Sequence, residues 1–212
     1  MGIIWGNRKL FSRNDRGVRL ALKHPLLVNR PVIGRGAYSV ILGGEASVFK
    51  LTMDGAAYAL AEQQQSSWRS SALPEIRGLH GTVGVIDCGV PLYLFEMEHL
   101  DRLTVGSAER KTCLAIARQL RPFYQDGMTS SERMRHVGAR QSDTSLAQGL
   151  ELLAGFLEPR WPAVDLDLHS ANFMRRPKTG EAVIADPFMD METRTLALKH
   201  YALGLPAGTA IL

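Results

Sequence analysis

Four short stretches hold side chains suited to phosphate binding or catalysis, and their order along the chain says more than any one of them. The first is Ile33-Gly34-Arg35-Gly36-Ala37-Tyr38-Ser39-Val40, a G-x-G-x-x-S-x-V run between two apolar segments. Glycine has no Cβ, so the backbone there can approach phosphate oxygens and offer its N–H groups. A plain turn between strands reads the same way. The run is not a dinucleotide-binding fingerprint, because a strand pattern follows it where that fingerprint needs a helix. The second stretch is Val48-Phe49-Lys50, 16 residues after Gly34. An apolar strand ending in one lysine either aims an ammonium at an anion or leaves a cation at a strand edge. To hold its aim it needs a carboxylate partner: Glu62, 12 residues on, is the candidate and Glu75 the reserve. Both also fit a solvated charge.

The third stretch is Asp165-Leu166-Asp167-Leu168-His169-Ser170-Ala171-Asn172. Asp167 and Asn172 are five apart across a tight loop. That spacing suits a carboxylate aimed at a substrate hydroxyl and an amide oxygen aimed at a metal ion. The fourth is Val183-Ile184-Ala185-Asp186, where an apolar strand delivers one carboxylate to a buried edge. A buried Asp is costly unless it is paired or metal-bound, which makes Mg²⁺ the sensible partner. Taken singly, each acid also fits a turn former or helix cap.

The elements that must position these residues follow from periodicity. Residues 17–52 read as β-rich, with GVRLAL, PVIG, SVILGG and ASVFKLT as strand pieces. Asp54 is an N-cap for a helix to about Trp68, with Ala57, Leu60, Ala61 and Trp68 on one side. TVGVID and PLYLFEM resume the strands. After Leu103, Cys113, Ile116, Ala117, Leu120 and Tyr124 form a core-facing helical stripe. Residues 126–143 read as a polar loop. Residues 142–158 read as a second helix with Leu146, Leu150, Leu153 and Leu157 on one face. VDLDLHSANFM and VIADPF are short strands around the turn Pro177-Lys178-Thr179-Gly180. The last 22 residues are amphipathic at best. The fold class is α+β: a β-rich half with one helix, then a helical half with an inserted hairpin, divided near residues 98–103.

Composition sets the outer bounds. The chain has 212 residues, 45% hydrophobic and 22% charged, with a net charge of +4. It is long enough to bury a real core. No apolar run reaches the ~18 residues that span a bilayer, and the N-terminus lacks a signal-peptide core. Met1-Gly2 opens like a myristoylation signal but lacks the Ser/Thr that must follow. The expectation is a cytoplasmic protein whose Cys88 and Cys113 stay reduced. The cations are scattered without a block or interleaved aromatics, which argues against a nucleic-acid face.

A Gly-loop, a strand lysine, a D-x-x-x-x-N loop and a later strand Asp, in this order, resemble a protein kinase or its aminoglycoside-phosphotransferase cousins. The resemblance covers about residues 30–188, with low detailed identity. It implies a two-lobed kinase-like fold, with a β-rich ATP-binding lobe over residues 1–98 and a helical, reduced C-terminal lobe over 99–212. Gly34, Gly36, Ser39 and Val40 would cover the phosphates of ATP, and Lys50, steadied by Glu62, would hold them. Asp167 would orient or deprotonate the acceptor hydroxyl, while Asn172 and Asp186 would bind Mg²⁺. Residues 96–100 look like the hinge, where the backbone of Glu98, His99 and Leu100 would meet adenine. Met97 would sit behind the base or simply pack in the core.

Departures from the family pattern qualify that picture. Ser39 replaces the third glycine. The His-Arg-Asp triplet reads Asp165-Leu166-Asp167, so the arginine that senses a phosphorylated activation loop is missing. Asp186 is followed by Pro187-Phe188, and proline restricts flipping of this segment. Only 26 residues follow Asp186, too few for a full peptide platform. The trimming resembles compact kinases of bacterial viruses. Three functions fit: a Ser/Thr protein kinase acting on a protein substrate, a small-molecule phosphotransferase suggested by Leu168-His169, and a kinase-like binding protein without catalysis. The reduced lobe leaves apolar helix faces that a homodimer or a partner would cover.

Overall fold

The computed structural model describes residues 15–44, 46–86, 88–121 and 127–202. Met1, Gly2, Tyr124 and Asp126 lie outside them. The architecture is mixed α+β. It opens with α1 (Arg16–Ala21), then β1 (Val32–Arg35), β2 (Ser39–Gly43), β3 (Ser47–Thr52), α2 (Gly55–Ser66), β4 (Ile76–Val85) and β5 (Pro91–Glu98). These strands form an antiparallel sheet in the order β1-β2-β3-β5-β4, which puts the lysine-bearing β3 at its centre.

The second half runs through β6 (Asp101–Arg102), α3 (Ala108–Gln119), α4 (Ser130–Gly138), α5 (Thr144–Leu157), β7 (Val164–Leu166), β8 (Phe173–Arg175), β9 (Ala182–Ile184), β10 (Phe188–Asp190) and α6 (Met191–Ala202). Two small sheets form here, β6-β8-β9 and β10-β7. Among the described residues, no helix is long and apolar enough to cross a membrane.

Alternation along β3 divides the large sheet into two faces. Phe49, Leu51 and Met53 pack with Val18, Ala21 and Leu27 under α1 and the turn after it. Val48 packs on the opposite face with Ala61, Phe95, Met97 and Val183. Lys50 shares the register of Val48, so it points toward α2 and the late hairpin. A third cluster joins Ala56 and Leu60 of α2 to Cys113, Ile116, Met134, Leu150, Leu153, Phe156 and Phe188. The helix after the lysine strand thus serves both the large sheet and the helical half.

Two expectations are corrected. GVRLAL is a helix, since Asp15 caps it by accepting the Val18 N–H at 3.1 Å and Gly17, Val18 and Ala21 are buried at helical spacing. Gly17 is required there: a Cβ would stand 1.9 Å from the Val85 carbonyl oxygen. Within the expected polar loop lies α4, started by a capping box in which Thr129 and Glu132 exchange hydrogen bonds. The helix from Asp54 is found as expected, with Asp54 Oδ1 accepting from Ala56 N at 2.9 Å and Ala57 N at 3.4 Å. Both cysteines are thiols, Cys113 buried and Cys88 half-buried.

Candidate active site

Lys50 sits on the central strand between Ile41 and Phe95. Its side chain is 6% exposed, and Nζ lies 2.7 Å from Asp186 Oδ1. Asp186 reaches this point because β9 ends at Ile184, with Ile184 N bonded to Ala72 O at 2.8 Å and Ala185 N to Asn172 O at 2.8 Å. The lysine and the late carboxylate expected from sequence are therefore in contact.

Asp167 and Asn172 are brought to the same place. Asp167 follows β7, and β7 pairs with β10, so the residues after Asp186 run beside the loop. Asp167 N donates to Pro187 O at 2.8 Å, and Asn172 Nδ2 donates to Asp167 O at 2.6 Å. That bond leaves the amide oxygen of Asn172 to face elsewhere. His169 Nδ1 accepts from Ala171 N at 3.2 Å, capping the short turn that carries Asn172. Burial pushes the Asp167 carboxyl above its ordinary range; His169 and Arg194 oppose this, while Asp186 and Asp165 add to it.

The glycine hairpin closes with Gly36 N donating to Ser39 O at 2.9 Å. A Cβ at Gly36 would meet Ser39 Oγ at 2.9 Å, a contact that rotation of the serine side chain would relieve. Gly34 faces the Ile41 side chain, 3.3 Å from an added Cβ. Val40 and Ser39 are buried. Tyr38, at the hairpin tip, lies within electrostatic reach of Asp167, Asp54 and Arg194; burial is the main cause of its raised phenol pKa.

Glu62 is not the partner of Lys50. It is exposed on α2 and acts on the Tyr93 phenol, whose pKa is raised chiefly by burial. The reason is helical phase: Ala57, Ala61 and Gln64 line the cavity with Lys50 and Asp186, and Glu62 is one residue, about 100°, further round. The reserve, Glu75, pairs with Arg77 at 3.5 Å. Gln64 was missed. It continues the stripe of Ala57, Leu60 and Ala61, and a polar residue in that phase was the available signal. Its Nε2 is buried with no hydrogen-bond partner among the described residues.

Met97 and Ala185 also line this cavity, which is partly open to solvent. Met97 is thus wall and core at once. Glu98 differs from its expected role, because its N–H is already donated to Glu75 O at 2.9 Å. Its side chain, 8% exposed, pairs with Arg176 at 2.8 Å. Of the expected hinge residues 96–100, Met97 is among those lining the cavity, and Glu98, His99 and Leu100 are not. Leu100 is buried and His99 half-buried.

Neither the family models nor the curated proteins match this chain. The site must be read from its own geometry.

Asp54, 5% exposed, adds a third charge beside the pair. Its carboxyl is pushed up to about 6 by burial and by Asp186, with Lys50 working against them. The same Oδ1 that caps α2 accepts from Asp190 N at 3.1 Å, tying the helix to the strand beyond Asp186. Among the described residues, no three His, Cys, Asp or Glu side chains cluster as a ready-made metal site. A cation here would take oxygen from Asp186 and Asn172 and the rest from phosphates and water, which is the habit of Mg²⁺.

Proposed function

We propose that this chain is an ATP- and Mg²⁺-dependent phosphotransferase of the kinase-like, two-lobed type, moving the γ-phosphoryl group to a Ser or Thr hydroxyl of a protein. The observation that carries the reading is the 2.7 Å contact between Lys50 and Asp186, next to a loop in which Asn172 is bonded to Asp167. A lysine ammonium, a hard-oxygen pair and a partly buried carboxylate in one place suit a metal-bound triphosphate better than any other common ligand.

On this reading Lys50 neutralises phosphate oxygens beneath the Gly34–Val40 hairpin. Asp186 and the Asn172 amide oxygen hold the cation. Mg²⁺, when bound, offsets the charge on the β- and γ-phosphates. Asp167 orients the acceptor hydroxyl and takes its proton as the new O–P bond forms and the bond from the γ-phosphorus to ADP breaks. Its raised pKa makes it the stronger proton acceptor. Positioning and electrostatics supply most of the rate. On this reading the protein works in the cytoplasm.

One observation favours a small-molecule acceptor as a second reading. The chain enters β10 two residues after Asp186 and passes straight into α6, leaving no extended segment there to bed a peptide. The two readings separate on incubation of the full chain with γ-labelled ATP, Mg²⁺ and either a protein extract or a panel of hydroxylated small molecules. Label in protein that disappears with Asp167→Ala supports the first, and label only in the small-molecule fraction supports the second. No transfer to either overturns the proposal.

A further inference from the structure

Arg176 lies at the turn end of the β8–β9 hairpin, where Gly180 N bonds to Arg176 O at 2.9 Å. Asn172 and Asp186 flank the opposite end of the same hairpin. The Arg176 guanidinium, 17% exposed, makes contacts that account for all five of its N–H donors. Nε meets Glu98 Oε2 at 2.9 Å and Oε1 at 3.2 Å. Nη2 meets Glu98 Oε1 at 2.8 Å and Leu73 O at 3.0 Å. Nη1 meets Ser71 O at 2.5 Å and Glu181 Oε2 at 3.1 Å. Glu98 Oε1 also accepts Glu75 N at 2.9 Å.

This one side chain therefore joins three segments that are far apart in sequence: the connector from α2 to β4, the last residue of β5, and the hairpin carrying the candidate metal ligands. The connector is pinned on its other side too. Ala72 O accepts from Ile184 N at 2.8 Å, and Gly149 of α5 packs so closely that an added Cβ would lie 2.8 Å from Ala72 Cβ. A buried ion pair adds little net stability compared with an apolar pair of similar volume, because desolvation offsets most of the attraction. What it adds is a fixed geometry, and a planar five-donor fork fixes it more tightly than an ammonium can.

We infer that Arg176 is a positioning residue: its clamp on Glu98 fixes the backbone of Glu98–Leu100, where the phosphotransferase reading puts the base, relative to Asn172 and Asp186, and so sets how well the site holds a nucleoside triphosphate compared with a bare triphosphate. The inference rests on the phosphotransferase reading, since it concerns how that site measures its nucleotide. The triphosphate itself is held by Lys50 and the metal ligands, none of which touches Arg176. Loosening the clamp therefore costs the contribution of the base and spares that of the phosphates.

The test is calorimetric titration of the full chain with Mg·ATP and, separately, with Mg·tripolyphosphate. Three proteins are compared: wild type, Arg176→Lys, and the double variant Arg176→Met with Glu98→Met. The double variant replaces both charges by apolar chains of similar length and so avoids leaving a lone buried carboxylate. Wild type is expected to bind ATP more tightly than tripolyphosphate. In the double variant ATP affinity falls at least tenfold while tripolyphosphate affinity changes less than twofold. Arg176→Lys, which keeps the charge and loses the fork, gives a smaller ATP-specific loss and decides the matter if the double variant does not fold. Equal losses for both ligands, or unchanged affinity for both, overturn the inference and leave the phosphotransferase reading standing. A wild-type chain that binds neither ligand removes that reading and the inference with it.

Discussion

Lys50 Nζ and Asp186 Oδ1 are separated by 2.7 Å, although they come from the central strand of the large sheet and from the far edge of the late hairpin. The two ends of the pair differ in solvation: the lysine side chain is 6% exposed and the aspartate 39%. The ammonium depends on its counter-charge more than the carboxylate does.

That asymmetry gives a first expectation. Asp186→Asn should destabilise the fold by about 1–3 kcal/mol, less than the cost of breaking a fully buried pair because Asp186 is partly hydrated. Lys50→Met keeps the apolar stem and lets Asp186 rehydrate, so it should cost under about 1 kcal/mol. Urea denaturation of the two variants checks the order; a costlier Lys50→Met contradicts it.

Asp54 should make stability depend on pH. Its folded-state pKa of about 6 lies above the ordinary 3.8, so between these values the folded chain holds a proton that the unfolded chain has lost. Stability is then fully present below about pH 4 and declines as pH rises through 6. Asp54→Asn keeps the oxygen that caps α2 and removes the titration. The variant should match wild type at pH 4 and exceed it at pH 8, by on the order of 3 kcal/mol. Parallel stability curves for the two proteins would count against the burial of this carboxyl.

The same logic applies to the acid limb of activity. On the proposed mechanism Asp167 must be ionised to accept a proton, and Arg194 is one of the charges that hold its raised pKa down. Arg194→Met should move the acid limb of kcat/KM to higher pH without changing its slope. A shift to lower pH, or none, would separate Arg194 from Asp167.

Gln64 carries a buried donor that is unmet among the described residues. Replacing such a group by an apolar one of similar shape is neutral or favourable. Gln64→Met should leave the thermal midpoint unchanged or raise it by a few degrees, a gain of up to about 1 kcal/mol. A drop of several degrees would mean that the amide is already satisfied.

Much of this was legible in the sequence because local signals and tertiary contacts agree. The Asp54 cap, the Cys113–Leu120 stripe and the apolar run into Lys50 are short-range patterns, and each element forms where its pattern lies, although the strand runs on past Lys50 to Thr52. The order Gly34, Lys50, Asp167, Asn172, Asp186 is a pattern along the chain, and the fold brings Lys50, Asp167, Asn172 and Asp186 together. The failures have physical causes. GVRLAL has the composition of a strand, and burial of Gly17 against Val85 makes it a helix. The Thr129–Glu132 capping box was present in a stretch too polar to suggest a helix. Glu62 was chosen by charge, whereas helical phase turns Gln64 inward. Apart from Glu181, five residues on, the partners of Arg176 lie far off in sequence, 78 residues away at Glu98 and 105 away at Ser71, so the clamp gave no local signal.

Mg·ATP binding to wild type and to Lys50→Met, followed by thermal shift, addresses the joint role of Lys50 and Asp186. Ligand at about 100 times its dissociation constant stabilises the folded state by about 2.7 kcal/mol, so the wild-type midpoint should climb with Mg·ATP concentration, and without Mg²⁺ the climb should be much weaker. The Lys50→Met midpoint should stay flat over the same range. A wild-type midpoint that ignores Mg·ATP, or a variant that follows wild type, would contradict a phosphate site built on this pair.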